Sequence, residues 1–197
     1  MESIMNELGI TILDQGTVAS PLGFQAAGVS CGLKKSGNED FALIVSDRDC
    51  AAAGTFTSNL FPAAPVVYDR MLIENGADVR IVAVNSGVAN ACTGTEGLDR
   101  ARATAAIAAE ALGVASEQVL VCSTGRIGVQ LPMEKIRDGI RKAVPLLSKE
   151  GGHAAAKATM TTDTQIKETA VSLVVNGRPV TLGGDTKGAG TIAPHLA

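Results

Sequence analysis

The run VRIVAVNSG, residues 79–87, constrains the fold more than any other stretch of this chain. It is almost continuously apolar and rich in β-branched residues, so it reads as a strand buried on both faces. With four Phe, one Tyr and no Trp in the chain, the core around it has to be built from Ala, Val, Leu and Ile. A loop rich in Asn and Gly, NSGVANACTGTEG (85–97), follows. Residues 97–113 then read as a helix: Leu98, Ala101, Ala105, Ala108 and Leu112 recur at helical spacing, and Gly113 stands where a left-handed cap belongs.

Shorter β-type segments precede this unit, at 23–33, 40–47 and 50–59, separated by Gly, Ser, Asn and Asp. Another strand, QVLVCSTG (118–125), runs into a turn. A second helix starts near Pro132 and presents Met133, Ile136, Ile140, Ala143 and Leu147 to the core. An alanine-rich helix is expected over about 152–160, ending at MTTDT (160–164). The last element is a hairpin, AVSLVV and RPVTLGG joined by Asn176-Gly177, the dipeptide most suited to a two-residue β-turn. Hairpins mixed with helices point to an α/β arrangement of layered sheets and helices, or to α+β, rather than to a doubly wound parallel fold. Residues 1–197 contain no repeat or low-complexity linker and read as a single α/β domain.

Several functional classes conflict with the composition. A net charge of −3 without a basic cluster argues against nucleic acid, and the aromatic platform of a single-strand binder is missing. No apolar run reaches the roughly 18 residues a membrane helix needs. The start, MESIMNELGI, lacks the basic and apolar regions of a signal peptide, so a cytoplasmic protein is expected. Cys31, Cys50, Cys92 and Cys122 show no C-x-x-C spacing and read as buried free thiols. His153 and His195 stand far from any cysteine cluster, so no metal is expected.

The candidate chemistry lies at element ends. In VCSTGRIG (121–128) a strand delivers Ser123, Thr124 and Gly125 into a turn, where a hydroxyl and backbone N–H groups can converge as in an oxyanion hole. An ordinary Ser-Thr-Gly turn is the alternative. MTTDT places hydroxyls and a carboxylate at a helix end, and Lys187, isolated among glycines, can reach a substrate carboxylate. Each also reads as plain turn or loop structure. Neither GGDTKGAG (183–190) nor GAGTIA (188–193) is a phosphate cradle: the first reverses the Gly-Lys order of a P-loop, and Pro194 follows the second at once. Neither histidine is placed as a general base, so no nucleophile-base pair is visible. The final stretch, KGAGTIAPHLA (187–197), is apolar and reads like the interior of a longer segment. If a bond after Ala197 were cleaved, a Thr, Ser or Cys beyond it would be an N-terminal nucleophile with its own amine as base.

NSGVANACTG, STGRIG, MTTDT and KGAGTIAPHLA, in this order and at these separations, resemble the α chain of the glutamate N-acetyltransferase / ornithine acetyltransferase family of arginine biosynthesis. The resemblance runs from about Gly16 to Ala197 and includes GFQAAGV near the start. It implies a precursor that cuts itself between Ala197 and a threonine, giving α and β chains that remain together, as an α2β2 heterotetramer. It also implies transfer of acetyl from N-acetylornithine to glutamate through an acetyl-threonine, with acetyl-CoA a further candidate donor and no bound cofactor. Carried over by position, Thr124 and Gly125 form the oxyanion hole, and Thr161 and Lys187 bind substrate. Two places depart from the family pattern. Val88 stands where Asn is common, and His195-Leu196 stands where Asn-Met is common. A relative with another amine or acyl substrate, and a non-catalytic subunit, are the rival readings.

Overall fold

The computed structural model describes residues 9–188. Its largest element is a four-stranded sheet in the order β2-β3-β4-β5, made of Phe24–Val29, Phe41–Cys50, Val79–Val88 and Val119–Arg126. β2, β3 and β4 are antiparallel, whereas β4 and β5 run parallel and are joined by a helical crossover. Among the described residues the α-helices are α1 (Ala64–Glu74), α2 (Gly94–Leu112), α3 (Met133–Ala143) and α4 (Gly152–Thr159). β1 (Thr11–Ile12), β6 (Glu168–Val175) and β7 (Arg178–Asp185) form a second, antiparallel sheet in the order β1-β6-β7. This is the layered α/β arrangement expected from the sequence.

The period-2 alternation of the strands decides which face meets which helix. Ala27, Val29, Phe41, Leu43, Ile81, Ala83, Val119 and Val121 point to one side, where α1, α2 and α3 cover them. Ala26 and Ala42 point to the other side, against Ala155 and Ala158 of α4. That second contact is made of alanines and glycines because the backbones nearly touch. A Cβ on Gly28 would stand 1.9 Å from the Ala154 carbonyl oxygen, and one on Gly151 1.8 Å from that of Ala26. α4 is therefore held against β2 at a distance no larger residue allows, which fixes where its C-terminal end emerges.

The helices end as their residues dictate. α2 stops at Gly113, which adopts φ 69° and donates its N–H to the Ala109 carbonyl. α3 stops at Ala143, and Pro145 turns the chain through a 3₁₀ segment before Leu147. The β6–β7 hairpin turns on Asn176 and Gly177, both with positive φ.

Four parts differ from the expectation. Ser46 to Asp49 do not interrupt a strand; β3 continues through them, with a shift in register between Val45 and Cys50. Most of the segment expected as a strand at 50–59 is irregular. The helix α1 was not anticipated, although Pro65 in its first turn and the buried Tyr68 and Leu72, four apart, carry its signal. Of the cysteines only Cys31 is buried; Cys92 and Cys122 are exposed, because they lie on a loop and on the uncovered face of the edge strand β5.

α1 closes that edge. Asp69 Oδ1 accepts the outward N–H of Val121 at 2.9 Å, which removes an unpaired donor from the side of β5. Burial pushes the Asp69 carboxyl up to about 7, against the opposing pull of this one N–H. Between about pH 4 and pH 7 the folded protein therefore holds a proton that the unfolded chain has released. The contribution of Asp69 to stability is complete below its unfolded value and is lost as pH rises through 7. Asp69→Asn keeps an acceptor for Val121 and has no charge to bury. It is expected to raise stability by about 1–2 kcal/mol near pH 8, discounting the full value of the shift for relaxation, and to leave it little changed near pH 4. Thermal melts at the two pH values check this; an equal shift at both would exclude charge burial as the cause.

Candidate functional site

The carboxyl ends of the parallel strands β4 and β5 open into a cleft of about 1220 Å3. Openings of this kind at strand carboxyl ends are where α/β sheets generally place ligands. Its walls come from the β2–β3 connection, the last residues of β4 and β5, the segment after α4, and the exit of β7. Thr124, Gly125, Thr161 and Lys187 all line it. Ala197 and His195 lie outside the described residues, and His153 faces elsewhere, pairing its Nδ1 with Glu168 Oε1 at 2.5 Å.

Thr124 and Gly125 do not sit in a tight turn. They belong to the last part of β5, where the register against β4 slips so that Thr124 pairs with both Ser86 and Val88. Gly125 has φ 129° and faces Gly87, which has φ 105°. The strands approach so closely that a Cβ on Gly125 would lie 2.3 Å from the Gly87 carbonyl carbon. Gly125 is required because any side chain there would drive the strands apart, whereas a Cβ on Gly87 would meet the Leu33 carbonyl at 3.2 Å, on the β2–β3 connection. The close crossing turns the Thr124–Gly125 backbone into the mouth of the cleft.

The NSGVANACTG segment braces this end of the sheet. Ser123 Oγ donates to Asn85 Oδ1 at 2.6 Å, and Asn85 Nδ2 donates to the Val88 carbonyl at 2.8 Å. Ser86 Oγ donates to the Ala158 carbonyl at 2.5 Å, tying β4 to the end of α4. Asn90, fully buried, donates to the Gly97 carbonyl and accepts from Thr93 Oγ1. Val88 buries its side chain in the helix-side core and does not line the cleft.

Across the cleft, Asp163 organises the other wall. Its Oδ1 accepts from the Gly188 N–H at 2.8 Å and from Lys167 Nζ at 2.6 Å, and its Oδ2 accepts from the Thr161 N–H at 3.1 Å. The Lys167 hydrogen bond first, and then the Gly188 and Thr161 N–H groups, hold its carboxyl far below the usual carboxylate range. A permanently ionised Asp163 thus clamps the exit of β7 onto the turn after α4. The consequence is that Lys187 Nζ comes to 3.5 Å from Thr161 Oγ1, although 26 residues separate them in the chain.

A second buried carboxylate shapes the third wall. Asp40 Oδ1 accepts from the Cys31 N–H at 2.7 Å and Oδ2 from the Lys34 N–H at 2.8 Å, which folds the β2–β3 connection back on itself. That connection brings Lys34 and Lys35 to the cleft, and Arg126 and Lys157 add two more cations from β5 and α4. None of these four was singled out from the sequence, where a lysine pair in a loop carries no signal beyond solubility. The resulting site offers a hydroxyl, a glycine-rich strand end and several cations. It suits a small anionic substrate that presents a carbonyl to Thr124 and Gly125.

Residues 25–197 match the family model described as the ArgJ family. Among curated relatives, the arginine biosynthesis bifunctional protein ArgJ of Symbiobacterium thermophilum is 49% identical over 184 residues, which are 92% of this chain and 46% of that protein. Its namesake from Thermotoga neapolitana is 47% identical over 178 residues, 90% of this chain and 44% of that protein. The chain therefore spans a little under half the length of these relatives. Among solved structures, the arginine biosynthesis bifunctional protein from Bacillus halodurans superposes with a TM-score of 0.88 at 39% identity, covering 95% of this chain and 98% of that one. The ornithine acetyltransferase of Mycobacterium tuberculosis, complexed with ornithine, gives 0.87 at 42% identity, covering 95% of this chain and all of that one (100%).

Proposed function

Since this chain belongs to the ArgJ family, we propose that it is the α chain of an acetyltransferase moving acetyl from N2-acetyl-L-ornithine to L-glutamate. The observation that carries this reading is the single cleft that gathers Thr124, Gly125, Thr161 and Lys187 from three separate stretches of chain. In the proposed mechanism a threonine following Ala197 attacks the acetyl carbonyl of N-acetylornithine. Its own α-amine takes the hydroxyl proton. Charge that develops on the carbonyl oxygen is met by the Thr124 hydroxyl and a backbone N–H at Gly125. The amide C–N bond breaks, ornithine leaves protonated, and the acetyl group rests on the threonine oxygen. The glutamate amine then attacks this ester, and N-acetylglutamate departs as the threonine oxygen recovers its proton. One amide is exchanged for another, so little driving force is needed. Acetyl-CoA, which carries a thioester, is a second candidate donor to the same threonine.

Thr161 and Lys187 bind the substrate in this scheme, with Lys187 meeting the α-carboxylate common to both amino acids. The same threonine performs the proposed self-cleavage after Ala197, giving α and β chains that assemble as α2β2 in the cytoplasm. The α-chain domain is then completed by the β chain. Intact mass measurement and N-terminal sequencing of the protein expressed from its full reading frame test this directly. Two fragments are expected, one of about 20 kDa ending at Ala197 and one starting with threonine. An uncut protein, or one with no hydroxyl or thiol residue after Ala197, would remove the proposed nucleophile.

Lys187→Ala removes one charge-assisted contact to the shared carboxylate, which is worth about 1.5–3 kcal/mol. It is expected to raise KM for both N-acetylornithine and glutamate by about ten- to a hundredfold, in the range that such a contact implies. Initial rates against each substrate check this. Unchanged KM values for both would exclude Lys187 from binding.

A further inference from the structure

We propose that Lys34 receives the second carboxylate of a dicarboxylic acyl acceptor, and so selects glutamate over neutral amino acids at this cleft. The inference rests on the acetyl-transfer reading given above and extends it to the source of acceptor specificity. The two amino acids that must occupy the cleft in turn differ at the far end of the side chain. The donor ends there in an ammonium and carries one carboxylate. The acceptor carries two. Lys187 accounts for the carboxylate they share, which leaves the acceptor's other carboxylate without a partner.

Five basic residues line the cleft: Lys34, Lys35, Arg126, Lys157 and Lys187. Lys35, Arg126 and Lys157 are exposed, and Arg126 already directs its Nε to the Gly87 carbonyl. Lys34 is different because it is half-buried and fixed from both ends. Its backbone N–H is held by the buried Asp40, and its Nζ donates to the Glu39 carbonyl at 2.5 Å. An ammonium has three donors, so this neutral carbonyl leaves capacity for a ligand oxygen.

The charges that bear on Lys34 are those of Asp40, Glu39 and, across the cleft, Asp163. Asp40 commits both oxygens to the Cys31 and Lys34 N–H groups, and Asp163 commits its own to Gly188, Lys167 and Thr161. They attract the ammonium without pairing with it. Burial outweighs them and draws the Lys34 ammonium below its ordinary value. A cation in that state gains more from an arriving carboxylate than an exposed one, because part of its hydration has already been given up. It lines the same cleft as Thr161, the residue beside Lys187. Two lysines on opposite walls, each preset by a buried aspartate, suit a ligand with a carboxylate at either end.

The test uses the two-chain protein from the full reading frame, with Lys34→Met and Lys34→Arg variants. Glutamate and its neutral isostere glutamine are compared as acceptors of acetyl from N-acetylornithine. In a double-displacement reaction, kcat/KM for the acceptor reports only the second half-reaction. Lys34→Met is expected to lower kcat/KM for glutamate by about 10–100-fold more than for glutamine, the value of one charge-assisted contact. Lys34→Arg should restore most of the preference. A preference for glutamate that survives in Lys34→Met, or an equal loss with both acceptors, would overturn the assignment. If the parent protein moves no acetyl group, the acetyl-transfer reading fails on its own. Calorimetric binding of glutamate and glutamine then decides Lys34: a preference present in the parent and lost in Lys34→Met supports it, and any other pattern refutes it.

Discussion

Gly125→Ala is expected to abolish the proposed acetyl transfer and to destabilise the protein by about 2–5 kcal/mol, the combined range for a side chain forced into a glycine-only backbone conformation and into a closed contact. Gly125 has φ 129°, a value an alanine cannot adopt without strain. The added methyl would also lie 2.3 Å from the Gly87 carbonyl carbon and 2.7 Å from its Cα. Both obstacles are backbone, so no rotamer change relieves them. Relief comes only by parting β4 from β5 at their carboxyl ends, where the Ser123–Asn85 and Ser86–Ala158 contacts are made. The Thr124 hydroxyl would move with the strand, and an error near 1 Å at a reacting centre is enough to cost about a hundredfold in rate. Chemical denaturation and initial-rate assays on the two-chain protein check both parts. Wild-type stability in Gly125→Ala would show that the strands have slack that the present geometry denies them.

Thr124→Ala tests the chemistry with the backbone left in place. The Thr124 side chain is half-buried at the cleft mouth, and alanine fits the same extended conformation. A fall in kcat of about 10²–10³-fold is expected, as when one oxyanion-hole donor is lost. KM should change little, because the hydroxyl matters most once charge has built up on the carbonyl oxygen. Thr124→Ser, which keeps the hydroxyl, should recover most of the rate. The proposed processing after Ala197 would pass through a similar tetrahedral species, so Thr124→Ala should slow the appearance of the two fragments as well. Normal turnover in Thr124→Ala would remove this residue from the mechanism.

These two expectations depend on different kinds of information. That Thr124-Gly125 marks a strand end with a hydroxyl beside a glycine is legible in VCSTGRIG. That Gly125 must be glycine because Gly87 of the neighbouring strand lies against it is not, since the two positions are 38 residues apart. The same holds for Lys187 and Thr161. Each stood out as an isolated polar residue at an element end, and the structure brings them to 3.5 Å through Asp163. Asp163 was visible in MTTDT only as one carboxylate among hydroxyls. Its three donors come from the same turn, from Lys167 just before β6 and from the exit of β7.

By itself the sequence determined the local elements: the strand read at 79–87, the helix capped by Gly113, the amphipathic helix after Pro132 and the hairpin on Asn176-Gly177. Those signals work because apolar spacing and turn chemistry act within a few residues, where backbone geometry leaves few choices. It also singled out Thr124, Gly125, Thr161 and Lys187, four of the residues that line the cleft. Only the tertiary structure decided that β4 and β5 run side by side in parallel, that α1 seals the edge of β5, and that Asp40 and Asp163 preset the two walls. A buried carboxylate takes its partners from whatever backbone the packing of Ala26, Gly28 and α4 brings near it. No periodicity in the chain records that proximity, because it comes from close packing between segments far apart in sequence.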